Sequence, residues 1–276
     1  TGALAVTGLG KTIPATCYPT AAGLANTWDE ALLEELGAHI GREAAAEGVS
    51  MVLGPGVNIK RSPLCGRNFE YFSEDPMLAG KMAAALIRGI QSQGVYACVK
   101  HFAVNSQELR RMTVDSVVDE RTLREIYLPA FELAVKEGGV KGLMTSYNRV
   151  NGTYAGENEH LLRDILYNEW DYSGLVVSDW GANNDRVAAV RAGLTLEMPA
   201  SGGVTDEQIV SAVREGRLEE RLLDEQVNRL LEFVFSTADA AGSGVDYDRA
   251  QHHLFAQRAA EESAVLLKNA ENILPV

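Results

Sequence analysis

Positively charged residues are scarce in this sequence. Lys and Arg together number 25 against 38 Asp and Glu, which gives a formal net charge of -13 at pH 7. Nucleic acids and anionic membranes bind proteins through basic patches, since such patches displace the counterions of phosphate groups. The shortage of positive charge therefore argues against a nucleic acid or a membrane as the partner, and it favours a neutral ligand.

Cysteine is scarce as well. The three cysteines are Cys17, Cys65 and Cys98. They are too few and too scattered for a disulfide framework, and the sequence has no Cys-x-x-Cys pair of the kind that zinc sites use. We interpret all three as buried thiols, and we expect no metal site.

Long apolar runs are absent. No stretch approaches the roughly 18 residues that a membrane span needs, and the first residues lack the charged start and apolar run of a signal peptide. The sequence opens at Thr1 rather than Met, so a removed leader or a missing upstream segment stays open. The sequence therefore leaves the localisation undetermined between cytoplasm and secretion.

Short apolar, β-branched runs alternate with longer amphipathic stretches, which is typical of βαβ units around a parallel sheet. The 276 residues suit one α/β barrel of roughly 250 residues better than two small domains. Asp119 is the predicted N-cap of the third helix. The predicted strands are Val49–Leu53, Val95–Val99, Gly142–Ser146, Gly174–Ser178 and Gly193–Leu196. The predicted helices are Trp28–Glu47, Pro76–Gln93, Glu120–Glu137, Leu161–Trp170, Asn184–Ala192, Thr205–Gly216 and Glu219–Phe235.

The pattern changes after the last of these helices. Residues 1–237 are predicted to form a (β/α)8-like TIM barrel, and an incomplete N-terminus is left open. Residues 238–276 are predicted to hold a linker, a helix over Arg249–Ser263 and a strand-like run, Ala264–Asn269, which together indicate the start of a second, α/β domain. His252 and His253 lack further ligands at metal spacing, and we interpret them as a solvent-facing pair.

Polar and aromatic side chains follow four consecutive predicted strands. The loops after parallel strands converge at one end of a barrel, above its packed interior. Taken alone, Asp179 is as readily interpreted as the cap of the helix that begins near Asn184. Donors, acceptors and an aromatic face gathered at one barrel end are instead typical of a pocket for a hydroxyl-rich ligand. The residues are Lys100, His101, Tyr147, Asn148, Asp179, Trp180 and Glu197.

Several segments resemble the landmarks of one enzyme family in order and spacing. They are Leu53–Ile59, Arg61–Glu70, Ser73–Pro76, Lys100–Asn105, Met144–Asn148, Val177–Gly181 and Leu196–Pro199. By these motifs the chain resembles the N-terminal barrel domain of family 3 glycoside hydrolases of the β-glucosidase kind. The residues after Phe102 read Ala-Val-Asn rather than Pro-Gly-His-Gly, which counts against the related β-N-acetylhexosaminidases.

The resemblance implies a TIM barrel that releases terminal non-reducing β-D-glucose with retention of configuration and without a metal or organic cofactor. The implied partner is a small-molecule β-glucoside or a short β-linked oligosaccharide. Asp179 is the implied nucleophile, which forms a glycosyl-enzyme that water hydrolyses. The implied sugar-binding residues are Arg67, Lys100 and His101 at the hydroxyls, Met144 on the pocket wall, Tyr147 beside the nucleophile and Trp180 as a platform.

The sequence departs from the family pattern in two places. Thr1–Val6 lacks the Asp-Gly-Pro segment that normally supplies a sugar-binding aspartate. The general acid of the family usually comes from a following α/β domain, which we expect as a companion of this chain. We leave the acid unassigned, because spacing alone places no carboxylate at the distance of about 5–5.5 Å from Asp179 that retention requires. The carboxylates nearest the motifs are Glu70, Glu108 and Glu197.

Two alternative functions stay open at this point. The barrel could act on xylosides or other pentosides, or it could be a sugar-binding or inactive module without its acid/base. Single residues also have structural interpretations. Arg67 fits an ion-pair partner, His101 a core histidine bonded to backbone, and Met144 a core side chain.

Overall fold

The computed structural model describes residues 13–238 and 245–275. Thr1–Val6, where the family pattern fails, lies outside the described residues, and so do residues 239–244 of the predicted linker. In chain order the strands are β1 (Met51–Val52), β2 (Tyr96–Phe102), β3 (Asp115–Ser116), β4 (Gly142–Thr145), β5 (Arg149–Val150), β6 (Thr153–Tyr154) and β7 (Leu175–Val177).

A parallel sheet with the order β1-β2-β4-β7 forms the centre of the molecule. Every residue of β4 and β7 is buried, because helices cover one face of the sheet and side chains fill the other. A bridge from Val177 to Leu196 extends the sheet by one position. Four predicted strands are therefore confirmed with shifted ends, and the predicted strand Gly193–Leu196 is reduced to this bridge.

Helices follow the strands as the alternation predicts, which gives a TIM-barrel-like α/β fold. The predicted cap at Asp119 is confirmed, since its side chain accepts from the Thr122 backbone N–H. Within the described residues, no helix has both the length and the apolar character that crossing a bilayer requires. The α-helices are α1 (Ala21–Leu24), α2 (Glu30–Ala46), α3 (Pro76–Gln91), α4 (Glu120–Thr122), α5 (Pro129–Lys136), α6 (Arg186–Ala192), α7 (Val204–Arg214), α8 (Glu220–Thr237) and α9 (Arg249–Glu262). The predicted helix Leu161–Trp170 is present as a π-helix, His160–Glu169, between β6 and β7.

The predicted helix Glu120–Glu137 is interrupted by a π-helical turn, Leu123–Tyr127, between α4 and α5. The interruption has a local cause, because Pro129 has no N–H with which to continue an α-helical ladder. The wider turn is closed by the Leu128 N–H, which donates to the Leu123 carbonyl at 3.0 Å.

A second, small sheet lies beside the carboxyl end of β4. Strand β3 pairs in parallel with β5, and β5 pairs antiparallel with β6 across the turn at Asn151 and Gly152. Asn151 holds this turn to Val118, because its side chain accepts from the Val118 N–H and donates to the Val118 carbonyl, both at 2.9 Å. The small sheet thereby anchors the chain that leaves β2 and β4.

The segment after the linker packs back on the barrel. The His252 ring lies 2.6 Å from the Glu43 carboxylate of α2, and only 3% of His252 is exposed. The interpretation of His252 as solvent-facing is therefore wrong, because the face of α9 that carries His252, Phe255 and Ala259 covers α2. His253 is exposed.

The strand-like run Ala264–Asn269 forms no strand within the described residues. Its Leu267 side chain is 91% exposed. The interpretation of the cysteines as buried thiols is correct only for Cys98, since Cys17 is exposed and Cys65 is partly exposed.

Helices α2 and α3 approach so closely that glycine is needed at the crossing. A methyl group on Gly89 would lie 2.8 Å from the Gly37 Cα and would also collide with the Glu34 carbonyl. We expect Gly89→Ala to lower the free energy of unfolding by about 1–3 kcal/mol, the usual range for overpacking. Urea denaturation measures the change.

Gly23→Ala in α1 is the matched control for this prediction. A methyl group on Gly23 meets nothing nearer than the Thr20 Oγ1 at 3.6 Å. We expect a change of less than about 1 kcal/mol there, in the stabilising direction, because alanine favours helices. Equal destabilisation by the two substitutions would show that the helix crossing is not the constraint.

Candidate functional site

The predicted site residues meet above the carboxyl ends of β2, β4 and β7. The register of these parallel strands places Lys100 opposite Met144, and Met144 opposite Val177. Tyr147 follows β4 closely and Asp179 follows β7 closely. The loops that carry them therefore leave the sheet at the same edge, as the barrel geometry predicts.

Asp179 is held through one carboxylate oxygen, while the other has no partner in the described part of the chain. Its Oδ1 accepts the Trp180 backbone N–H at 2.7 Å. Its Oδ2 is buried and has no hydrogen-bond partner among the described residues. The helix that follows, α6, is capped by Asp185, so the interpretation of Asp179 as that cap is wrong. A buried oxygen without a partner is costly in a protein, and it marks a position where a ligand can donate.

The contacts of His101 fix which ring nitrogen carries the proton. Arg67 Nη2 lies 2.9 Å from His101 Nε2, and a guanidinium can only donate, so Nε2 accepts. The ring proton then sits on Nδ1, which lies 3.1 Å from the Tyr71 hydroxyl oxygen and 3.3 Å from Asn58 Oδ1. His101 Nε2 is also 3.5 Å from Asp179 Oδ2, but two acceptors share no hydrogen bond.

The surroundings of His101 keep its ring neutral. The side chain is 1% exposed. Burial, followed by the positive charges of Arg67, Lys100 and Arg111, lowers the pKa of His101 well below the ordinary value of 6.5. The imidazole is therefore uncharged near neutral pH, which agrees with the acceptor role of Nε2.

Asn58 orients the backbone of His101. Asn58 Nδ2 donates to the His101 carbonyl and Asn58 Oδ1 accepts from the His101 N–H, both at 2.9 Å. Sequence analysis assigned Asn58 no role, although it stands in the quoted segment Leu53–Ile59. The available signal was a single amide in an apolar run, because a buried amide must find partners.

Arg67, Lys100 and Glu70 form one ion cluster. Both Arg67 Nε and Arg67 Nη2 lie 2.8 Å from Glu70 Oε2, and Lys100 Nζ lies 2.8 Å from Glu70 Oε1. Burial raises the pKa of Glu70, but the hydrogen bond from Arg67 and the charge of Lys100 outweigh it and lower the pKa. Arg67 is thus the ion-pair partner that one interpretation expected, and it also contacts the predicted site residue His101.

Tyr147 and Trp180 lie next to Asp179. The Tyr147 hydroxyl donates to the Trp180 carbonyl at 2.9 Å, and the Arg111 guanidinium lies 4.6 Å from the centre of the Tyr147 ring. Burial and then the charge of Asp179 raise the pKa of Tyr147 to about 12. Tyr147 is therefore a neutral donor and acceptor. Sequence analysis missed Arg111, for which it had no motif.

Met144 is a buried side chain, with 2% of its surface exposed. It packs with Cys98, Leu175 and Val177, and the partly buried Trp180 lies against this group. Its place on the pocket wall stays a prediction, since the core interpretation fits the packing equally well.

The other two carboxylates named from the motifs are engaged. Glu197 accepts from Asn183 Nδ2 at 3.0 Å and from Thr205 Oγ1 at 2.5 Å. Glu108 pairs with Arg111 at 2.9 Å. In the part of the chain that the structure describes, no three His, Cys, Asp or Glu side chains gather in a group suited to a metal ion.

Comparison with known proteins decides the family. The sequence pattern of the glycosyl hydrolase family 3 N-terminal domain matches residues 3–233. The chain belongs to glycosyl hydrolase family 3. The resemblance drawn from the motifs is confirmed, and so is the TIM-barrel-like fold, since solved family 3 structures superpose on the chain.

The relatives are longer than this chain. Thermostable beta-glucosidase B of Acetivibrio thermocellus is 56% identical over 97% of this chain and 36% of its own length. An exo-alpha-(1->6)-L-arabinopyranosidase of Bifidobacterium breve is 48% identical over 98% of this chain and 36% of its own. The chain thus spans little more than a third of these family 3 relatives.

Two solved family 3 structures are also similar to this chain and longer than it. The GH3 beta-glucosidase of Bifidobacterium adolescentis has a TM-score of 0.93 and 48% identity over 97% of this chain and 40% of its own. Beta-glucosidase 3B of Thermotoga neapolitana in complex with glucose has a TM-score of 0.91 and 44% identity over 96% of this chain and 38% of its own.

Because His101 is buried as a neutral imidazole, the stability of the folded chain depends on pH. The folded state resists protonation of His101, whereas the unfolded chain takes up that proton below about pH 6.5. Because the unfolded state then binds more protons, the free energy of unfolding falls with falling pH, by at most about 1.4 kcal/mol per pH unit for one group. His39, whose pKa is also lowered by burial, adds to the fall.

We expect His101→Gln to show a shallower fall than the unchanged chain between about pH 7.5 and 5.5, above the range in which carboxylates titrate. Urea denaturation at several pH values measures the slope. His253→Gln, at an exposed position, is the control and should leave the slope as it is. Identical slopes in all three proteins would contradict the assignment of a neutral His101.

Proposed function

We propose that the chain is the barrel part of a retaining β-glucosidase in which Asp179 is the nucleophile. The observation that carries the proposal is the buried Asp179 Oδ2, which has no protein partner among the described residues, while Oδ1 is tied to the Trp180 N–H. A nucleophile needs one oxygen that is fixed in direction and free of hydrogen bonds. The beta-glucosidase names of the relatives support the same activity.

The reaction needs two displacements at the anomeric carbon. Asp179 Oδ2 attacks C1 as the bond from C1 to the leaving oxygen breaks, and the leaving group departs as an alcohol after receiving a proton from a general acid. Water then attacks C1, loses a proton to the same acid/base group, and releases glucose and the Asp179 carboxylate. A carboxylate accepts but does not need to lose a proton before it attacks.

The residues beside Asp179 have the chemistry to bind a sugar. Arg67 and Lys100 supply charged donors that a sugar hydroxyl can accept. The single lone pair of His101 Nε2 is taken by Arg67, so His101 orients the Arg67 guanidinium beside Asp179. The half-buried Trp180 offers an apolar face beside them. The Thermotoga neapolitana relative was solved in complex with glucose, which supports glucose as a ligand of this chain.

The acid/base is best supplied by a companion domain. Glu70, Glu108 and Glu197 are each engaged by neighbouring side chains, so none is a free acid in the described chain. The matched relatives are more than twice as long as this chain, which leaves ample room for a further domain.

The substrate has a second candidate with support of its own. The arabinopyranosidase of Bifidobacterium breve is nearly as similar as the beta-glucosidases, and the pentose that its name describes lacks the hydroxymethyl group of glucose. A panel of glucoside, xyloside and arabinopyranoside separates these specificities. We expect the glucoside to give the highest kcat/KM.

Covalent trapping tests the nucleophile. A 2-deoxy-2-fluoro-β-glucoside with a dinitrophenolate leaving group needs little acid assistance, so we expect it to form an ester with Asp179 even without the companion domain. Mass spectrometry of the intact chain and its peptides would show the added sugar on Asp179.

Two variants sharpen this test. Asp179→Asn should fold and give no adduct, while Asp224→Asn, at an exposed position of α8, should react like the unchanged chain. A chain that binds glucose but gives no adduct would instead be a sugar-binding module.

The missing acid predicts a dependence on the leaving group. We expect the chain to hydrolyse an alkyl glucoside at least about 100-fold more slowly than a dinitrophenyl glucoside, since only the alkyl leaving group needs general acid catalysis, which contributes about that factor or more. Steady-state rates with both substrates measure the ratio. Comparable rates on the two substrates would mean that this chain holds its own acid.

A further inference from the structure

Glu70 stands at the centre of the charged groups around Asp179. Each of its carboxylate oxygens takes a different cation at 2.8 Å, Oε2 from Arg67 and Oε1 from Lys100. The Glu70 side chain is only 22% exposed, so these interactions are partly shielded from water. Neither cation makes an ion pair with Asp179 among the contacts of the described residues.

Arg67 and Asp179 are nevertheless close. Arg67 Nη2 and Asp179 Oδ2 both lie within 3.5 Å of the same atom, His101 Nε2. A neutral imidazole offers no charge to keep them apart, because its facing nitrogen is an acceptor. The hydrogen bond to His101 Nε2 fixes one guanidinium nitrogen but supplies no counter-charge. Glu70, at 2.8 Å from Arg67, supplies the charge that offsets the attraction of the guanidinium to Asp179 in this half-buried site.

We infer that Glu70 is a positioning residue that holds Arg67 and Lys100 away from Asp179, so that Asp179 Oδ2 stays free to attack. The inference rests on the proposed function. A guanidinium drawn onto Asp179 would occupy the attacking lone pairs and lower their nucleophilicity. It would also turn its donors away from the sugar hydroxyls.

Glu70 does not itself donate the proton to the leaving group. Both of its oxygens accept from cations, which favours the ionised form of a carboxyl group. A group held in this way has no proton to give. Its role and the role of a general acid therefore predict different kinetics.

The test compares Glu70→Gln with a matched control, Glu225→Gln. Glu225 also bridges two cations, Arg163 at 3.3 Å and Arg221 at 2.5 Å, but it lies on the outer helix α8. For Glu70→Gln we expect trapping of Asp179 by the fluoro-glucoside to slow about 100-fold, the size expected when a reacting group is misplaced. Glu225→Gln should trap at the rate of the unchanged chain.

The leaving group separates positioning from acid catalysis. If Glu70 acts by positioning, Glu70→Gln lowers kcat/KM by the same factor for a dinitrophenyl and for an alkyl glucoside. A loss confined to the alkyl glucoside would assign Glu70 as the acid and overturn the inference, as would trapping at an unchanged rate. Glu70→Asp, which keeps the charge, should recover part of the rate at an unchanged thermal midpoint.

A measurement of glucose affinity distinguishes failure of this inference from failure of the proposed function. If the unchanged chain binds glucose but forms no adduct, the nucleophile proposal fails, and Glu70 is then judged by affinity. In that case Glu70→Gln should weaken glucose binding about tenfold, or about 1.4 kcal/mol. Unchanged affinity would overturn the inference, and a chain that neither binds nor reacts would overturn both proposals.

Discussion

The parallel register of β2, β4 and β7 is the constraint on which the candidate site depends. Because the strands run in the same direction with Lys100, Met144 and Val177 aligned, the segments that follow them emerge at one edge. Tens of residues separate the Lys100–His101 pair from Tyr147, and Tyr147 from Asp179, yet these side chains meet there. The hydrogen bonds between the strands thus bring the site residues together, and the loops determine only how the side chains are oriented.

The electrostatic balance of the site follows from burial. His101 cannot carry a charge at 1% exposure beside a guanidinium, so it serves as an acceptor. Three cations surround His101, of which Arg111 pairs with Glu108 while Arg67 and Lys100 both pair with Glu70. Asp179 therefore keeps an oxygen that has no partner among the described residues, and its environment differs from that of Glu70 although both are acidic.

The fold was predictable because its signals are local. Strands β2, β4 and β7 are short apolar runs, and the predicted cap Asp119 starts α4, between β2 and β4. What failed depended on distant partners. His252 looks solvent-facing in its own helix and is buried only because Glu43 of α2 meets it. The π-turn before Pro129 is a different case, because its cause is local: the proline has no N–H to continue an α-helix.

For the site too, the positions of residues could be predicted from the sequence, but their interaction partners could not. Strand ends located Asp179, Lys100 and His101, but no spacing reveals that Glu70 binds two cations or that Asn58 clamps a backbone. The pairing of Glu70 with Lys100 arises only when the loop that carries Glu70 meets β2, and the Asn58 pairing only when the segment after β1 meets His101. Both Glu70 oxygens are engaged by Arg67 and Lys100, whereas Asp179 Oδ2 is buried and has no hydrogen-bond partner among the described residues. A retaining glycosidase needs a second carboxyl group to protonate the leaving oxygen. In the proposed mechanism that group acts on the side of the sugar opposite Asp179, and we expect a companion domain to supply it.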